Sequence, residues 1–215
     1  MAKLAADSPI RFRGKLSNIV AAEWNGMIVI RAAPHWKKKY KPTPKQYANQ
    51  QRFKYANTFV GIFRDLLDMT VQKEPGQTRA SIAMRGLLNE ALVGDWPKTQ
   101  LDYSRLQLAR GTLPPADSPV AKAGETGRIE FEWEYDFKKY PKDKDYGQHH
   151  VMLIAYSKTS HKPAYDVHAG FRNNRKGTLQ CSFKKGEEVH TWISFRTGDF
   201  GFKANSVYTG LVKMK

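Results

Sequence analysis

Cysteine is nearly absent: Cys181 is the single thiol in 215 residues. That excludes an internal disulfide framework and any cysteine-based zinc finger. Long apolar runs are missing too. Stretches such as Val151–Tyr156 fall far short of the ~18–20 residues a membrane helix needs. The opening Met1-Ala-Lys-Leu-Ala-Ala-Asp lacks the apolar segment of a secretory signal, so a cytoplasmic or particle-associated protein is expected. Acid is missing from one long region. Between Asn25 and Arg64 there is no Asp or Glu, while Arg31, Lys37, Lys38, Lys39, Lys41, Lys45, Arg52, Lys54 and Arg64 are all basic. The net charge is +16, and the first 60 residues hold 12 Lys/Arg against 2 Asp/Glu. A field this one-sided attracts polyanions and repels itself. No repeat and no low-complexity segment interrupts the chain.

What is present is enough bulk for a core, with 40% hydrophobic and 12% aromatic residues. The first ten residues read as a flexible tail. Strands are expected over about 16–24 and 27–32, joined at Asn25-Gly26, the strongest short hairpin signal. An isolated hairpin is marginal in water, so it must pack on another element or another chain. A proline-punctuated basic connector follows. Thr43, Pro44 and Gln46 then form an N-cap, an N1 proline and a capping box. Phe53, Ala56, Val60, Phe63 and Leu67 make one apolar face of a helix over about 44–69, with Lys45, Asn49 and Arg52 opposite. A second helix is expected over about 78–93, stopped by Gly94, and a strand over about 103–110.

Residues 111–119 read as a proline-rich linker between a unit at 11–110 and a domain at 120–215. Beyond it the period becomes two. Ile129, Phe131, Trp133, Tyr135 and Phe137 alternate with Glu130, Glu132, Glu134 and Asp136. Further strands are expected near 149–156, 164–171, 178–183, 189–196 and 205–213. The fold class is therefore α+β, mainly β: a hairpin and two-helix unit followed by an antiparallel β-sandwich of immunoglobulin or fibronectin type.

Gly14-Lys15, Asn18-Ile19-Val20, Trp24-Asn25-Gly26, Pro42-Thr43-Pro44 with Gln46, Asn49-Gln50 and the terminal Asn205-Ser206-Val207-Tyr208 carry a resemblance. The pattern resembles a family of uncharacterised proteins of about this length from bacteria of the Bacteroides group and their phages. The resemblance implies the same two-part architecture. It implies no catalytic activity and no cofactor. The Lys37-Lys38-Lys39 run and the acidic row at 130–136 lie outside the shared pattern.

Catalytic constellations are not legible. Cys181 shares a strand face with Leu179 and Phe183 and reads as a core residue. The six histidines, His35, His149, His150, His161, His168 and His190, form no paired helical motif, and His149 and His150 point to opposite faces of a strand. The acidic row spaces its carboxylates about 7 Å apart along one strand face, a solvated row, a weak calcium site or a partner for Lys and Arg. No phosphate-binding glycine loop is present. No metal, cofactor or small-molecule substrate is expected, and no membrane span. Basic residues and aromatics interleave at Arg31, Trp36, Lys37, Lys38, Lys39, Tyr40, Lys41, Lys45, Arg52 and Lys54, a pattern suited to nucleic-acid backbones and unpaired bases. A second basic cluster, Arg172-Asn-Asn-Arg175-Lys176, reads as a β-turn. The expected function is a non-enzymatic assembly protein, a virion-like particle subunit with a polyanion-facing segment. Ile19, Trp24, Ile28 and Ile30, with Glu130, Glu132 and Glu134, are its candidate interface with itself or other particle proteins. The alternative is a sequence-independent binder of DNA or RNA through 31–54.

Overall fold

A computed structural model describes residues 2–3, 12–24, 26–34, 41–125, 127–140, 143 and 145–215. Trp36, Lys37, Lys38, Lys39 and Tyr40 of the expected polyanion site lie outside the described residues, as does Asn25 of the expected turn. The N-terminal strands are β1 (Ala2–Lys3), β2 (Gly14–Leu16), β3 (Ile19–Trp24) and β4 (Met27–Ala32). They form one antiparallel sheet in the order β1-β4-β3-β2. The expected hairpin is its centre, with Trp24 opposite Met27 and Gly26 at φ 76°. Two features differ from expectation. The first expected strand is folded back at Ser17-Asn18, where Ser17 takes φ 50°, and Ala2–Lys3 of the expected tail pairs with β4.

Helix α1 (Pro44–Ile62) begins as its sequence dictates. The Gln46 amide donates to Thr43 Oγ1 at 3.3 Å, and the Thr43 amide donates to Gln46 Oε1 at 2.9 Å. The helix breaks at Phe63, φ −105° and ψ 12°, and resumes as α2 (Arg64–Thr70). Helix α3 (Arg79–Gly86) is capped by Thr78 and widens into a π-helical turn at Leu87–Ala91. The strands β5 (Leu92–Val93) and β6 (Gln100–Leu101) close a small ribbon behind it. Residues 103–110 are not a strand. The Asp102 carboxylate accepts from the Ser104 amide at 3.0 Å and starts a turn, and hydroxyls then occupy the backbone groups a ladder would need. Thr70 Oγ1 donates to the Leu108 carbonyl at 2.6 Å, and Ser206 Oγ accepts from the Leu108 and Ala109 amides at 2.9 and 3.3 Å.

The C-terminal strands are β7 (Asp117–Ala123), β8 (Arg128–Glu134), β9 (His150–Ser157), β10 (Lys162–Asp166), β11 (Lys176–Gln180), β12 (Glu188–Arg196) and β13 (Val207–Lys213). They make two antiparallel sheets, β10-β9-β12-β13 and β11-β8-β7, sandwich-like and without closure into a barrel. Between them Ile129, Phe131, Trp133 and Leu179 meet Val151, Leu153, Ala155, Val189, Ile193 and Phe195. The other face of the larger sheet is also covered. Met152, Ile154, Tyr156 and Trp192 pack against Phe59, Phe63, Leu66, Leu67, Ile82 and Leu87 of the helical layer. The division at 111–119 is therefore not one between separate cores. The supposed linker contains the first residues of β7, buries Ala116, and ties the Leu113 amide to the Lys203 carbonyl at 2.8 Å. Its prolines suppress ladder pairing, and the carbonyls of Pro114 and Pro115 are taken up by Arg172 instead.

Candidate functional site

Among the described residues no side chain of the N-terminal sheet joins either core, although Ala21 is buried within the sheet's own surroundings at 2% exposure. Leu16, Ile19 and Trp24 are 64%, 44% and 46% exposed. The four expected interface residues do not share one surface. Cross-strand register places Ile19 and Ile28 with Ala21 and Ile30 on one face, with Leu16 beside Ile19. Trp24 lies on the opposite face with Val20, Ala22, Met27 and Val29, because strand side chains alternate. Arg31 and Lys15 flank Val20 on that second face. Glu23, the one acid in this sheet, is paired with Arg13.

The same exposure continues along α1. From Pro44 to Tyr55 no residue is buried, and Tyr47, Phe53 and Tyr55 stand open at 48%, 56% and 45%. Phe53 shares the apolar stripe expected of the helix, yet it is not buried with Ala56, Val60, Phe63 and Leu67. Burial along the helix begins only at Ala56, one turn beyond Phe53. Lys41, Lys45 and Lys54 are exposed; Arg52 is half-buried, and its Nη2 donates to the Leu88 carbonyl at 3.4 Å. Between α1 and α3 runs a groove of about 570 Å³. Phe53, Val60, Met84 and Leu88 give it apolar walls, and Asn57, Arg64, Arg85 and Asn89 its polar ones. No carboxylate lines it. Asn57, Arg85 and Asn89 were not picked out in the sequence. Their signal was there in part: Asn49, Phe53, Asn57 and Gly61 recur every four residues, one stripe of a helix.

The acidic row lies on the outer face of the smaller sheet, where exposed Glu130, Glu132 and Glu134 alternate with buried Ile129, Phe131 and Trp133. Glu132 is answered within that sheet. Lys122 pairs with Glu132 at 3.6 Å, and Lys176 sits directly opposite Glu132 on β11. Among the described residues no group of three or more His, Cys, Asp and Glu side chains is placed to hold a metal ion. The basic turn at 172–176 is also altered. Arg172 is fully buried rather than solvated.

The described histidines are engaged in packing. His161 Nδ1 lies 3.2 Å from the Tyr156 hydroxyl, and His168 Nδ1 accepts from Arg196 Nη2 at 2.7 Å. His190 stacks on Tyr103 with centroids 3.7 Å apart and meets the Tyr208 hydroxyl at 2.8 Å. His149 is almost wholly buried, its Nε2 3.5 Å from Asp143 and its Nδ1 without a partner. Burial lowers the pKa of His149, His150 and His190, and Arg196 and His168 push His150 further down. Cys181 is half-buried, and burial raises its thiol.

A depressed histidine pKa means that the unfolded chain binds the proton first. Stability is then complete above the ordinary value of about 6.5 and falls as pH drops below it. His149 should contribute most, at up to about 1.4 kcal/mol per pH unit, because His150 and His190 retain solvent contact. Denaturant melts at stepwise pH from 7.5 to about 5 should show this decline, and His149→Gln should flatten it. A wild-type midpoint that is constant across that range contradicts the assignment.

Residues carrying the terminal Asn-Ser-x-Tyr pattern turn out to be clamps. Asn205 Oδ1 accepts from the Gly111 amide at 3.1 Å, Ser206 holds Leu108 and Ala109, and Tyr208 meets His190. A family model spans residues 11–210 of this chain. The chain belongs to DUF6266, a family of unknown function. The DUF6266 match begins ahead of β2 and ends within β13, so β2 to β4, the helices and the sandwich-like sheets belong to one family unit. Comparison with curated proteins returns no match.

Proposed function

We propose that this DUF6266 protein is a non-enzymatic assembly subunit that joins a larger particle through its N-terminal sheet and presents a basic, polyanion-facing surface along α1. The observation that carries the reading is the apolar face of that sheet. Leu16 and Ile19 stand beside each other in the open, in a sheet that neither core uses. Solvated apolar surface of this kind marks a contact with another chain. Its outer strands are short, two and three residues, which limits indiscriminate edge pairing. The described histidines and the lone cysteine, engaged in packing or held as unreactive groups, support a structural role.

Leu16→Lys with Ile19→Lys tests it. Both side chains are at least 44% exposed, so the monomer should keep its fold and its thermal midpoint. The mass in solution by light scattering should fall from an oligomer to a monomer. A wild-type chain that is monomeric at all concentrations, or a double variant with unchanged oligomer mass, removes the N-terminal sheet from the reading.

A further inference from the structure

We propose that the groove between α1 and α3 is a binding site for single-stranded nucleic acid, with a base stacked on Phe53 and phosphates held by Arg64 and Arg85. The proposal gives the polyanion-facing part of the assembly reading an address, and it rests on that part alone. Four observations converge on it. The groove has no carboxylate in its walls, and α1 carries no acid along its length. Arg64, Lys45 and Lys54 have no ion-pair partner among the described residues, and Arg85 holds only an exposed pair with Glu74 at 3.5 Å, which a phosphate displaces on binding. An aromatic ring stands 56% exposed at the mouth. Two side-chain amides, Asn57 and Asn89, line the interior, and each offers a donor and an acceptor.

A cationic track with exposed rings is how proteins hold single strands without reading sequence. Phosphates meet guanidinium groups, while the open face of a base meets an aromatic ring. Duplex DNA hides those faces and should gain only the charge contribution. An acidic polypeptide would satisfy the arginines but leave the ring and the two amides without matched partners. Gly61 shapes the groove as well. A Cβ built there meets nothing within 4 Å, so the groove passes open over this position of α1.

The test is fluorescence anisotropy of the full chain with a short labelled oligodeoxythymidine, its ribo counterpart and a matching duplex, at two salt concentrations. Wild type should bind both single strands more tightly than duplex. Phe53→Ala should weaken single-strand binding roughly ten-fold and leave duplex binding unchanged. Arg64→Gln with Arg85→Gln should reduce the salt slope by about 1.4, two phosphates at roughly 0.7 each. Gly61→Leu fills the groove without changing charge and should weaken binding at both salts. Polyglutamate of equal charge should compete poorly. The groove is overturned if wild type binds no oligonucleotide at low salt, if Phe53→Ala and Gly61→Leu bind as wild type does, or if polyglutamate displaces the oligonucleotide charge for charge. Solution mass on the same samples separates the two ideas. A chain that assembles yet binds nothing loses the groove and keeps its assembly surface; a chain that binds with groove variants unaffected carries its polyanion face elsewhere.

Discussion

Gly111→Ala is expected to lower stability by about 3 kcal/mol, the upper range for forcing one methyl group into a filled site. At this chain length that corresponds to roughly 6–12 °C in thermal midpoint. A Cβ at Gly111 would lie 2.2 Å from the Lys203 carbonyl oxygen and 2.7 Å from its carbon. Those are backbone atoms, so no rotamer change relieves the overlap. The same carbonyl accepts from the Leu113 amide at 2.8 Å, and the Gly111 amide itself donates to Asn205 at 3.1 Å. Moving Lys203 aside therefore loosens the seam at which the 108–113 segment meets the residues ahead of β13. That seam is also where the helical layer is tied to the sheet, through Arg110 to Thr70 and Gln72. Gly61→Ala is the matched control. It sits in α1 with open space around an added Cβ, and alanine favours helix over glycine by about 1 kcal/mol. Chemical denaturation should show the two glycines shifting in opposite directions. Equal, small shifts would mean that the seam does not hold the layers together.

The seam also shows what the sequence could and could not convey. Alternation at 129–135 announced β8, because one face of the smaller sheet is wet and the other dry. The run Val151–Tyr156 carried a different message, since an uninterrupted apolar strand is one covered on both faces. Read that way, it anticipates the helices packed on the far side of the larger sheet, and with them a shared core in place of two domains. Thr43, Pro44 and Gln46 placed the start of α1 because capping is local chemistry. Strand β7 was hidden by Pro119 and by Pro114 and Pro115 ahead of it, and 103–110 reads locally as a strand but is not one, because hydroxyls of Thr70 and Ser206, 38 and 98 residues away from Leu108, decide its backbone pairing. The candidate site was legible only as charge. Basic residues at 41–54 were visible, but the groove needs α3 beside α1, and no local pattern states that Asn57 and Asn89 line the same groove.

Arg172→Met should be as damaging as the glycine change, by about 3 kcal/mol, and the reasons oppose one another. Burying a charge is costly, and replacing a buried ion pair with apolar side chains is often neutral or stabilising. Among the described residues no carboxylate forms an ion pair with the Arg172 guanidinium, which by itself favours methionine. Its partners are carbonyls: Nη1 donates to Pro115 at 3.2 Å and Nη2 to Pro114 at 2.6 Å. Its guanidinium lies 3.7 Å from the Phe195 ring centroid and 4.3 Å from that of Tyr146, so the cation is held against two π-systems. Methionine supplies the volume but no donor. Water can reach the Pro115 carbonyl, since that residue is exposed, whereas Pro114 is half-buried and loses a charge-assisted bond. The stacking energy, of order 2 kcal/mol when desolvated, is lost as well. These losses should outweigh the relief of the charge, which burial has already pushed to a lowered pKa. Arg172→Lys separates the contributions, because an ammonium keeps the charge but cannot fork to two carbonyls while lying against two rings. It should fall between wild type and methionine. Proteolysis within 111–119 should accelerate in step with the loss, since the guanidinium holds that segment against the sandwich. A methionine variant as stable as wild type, with this segment still protected, would mean that apolar packing alone seats the prolines.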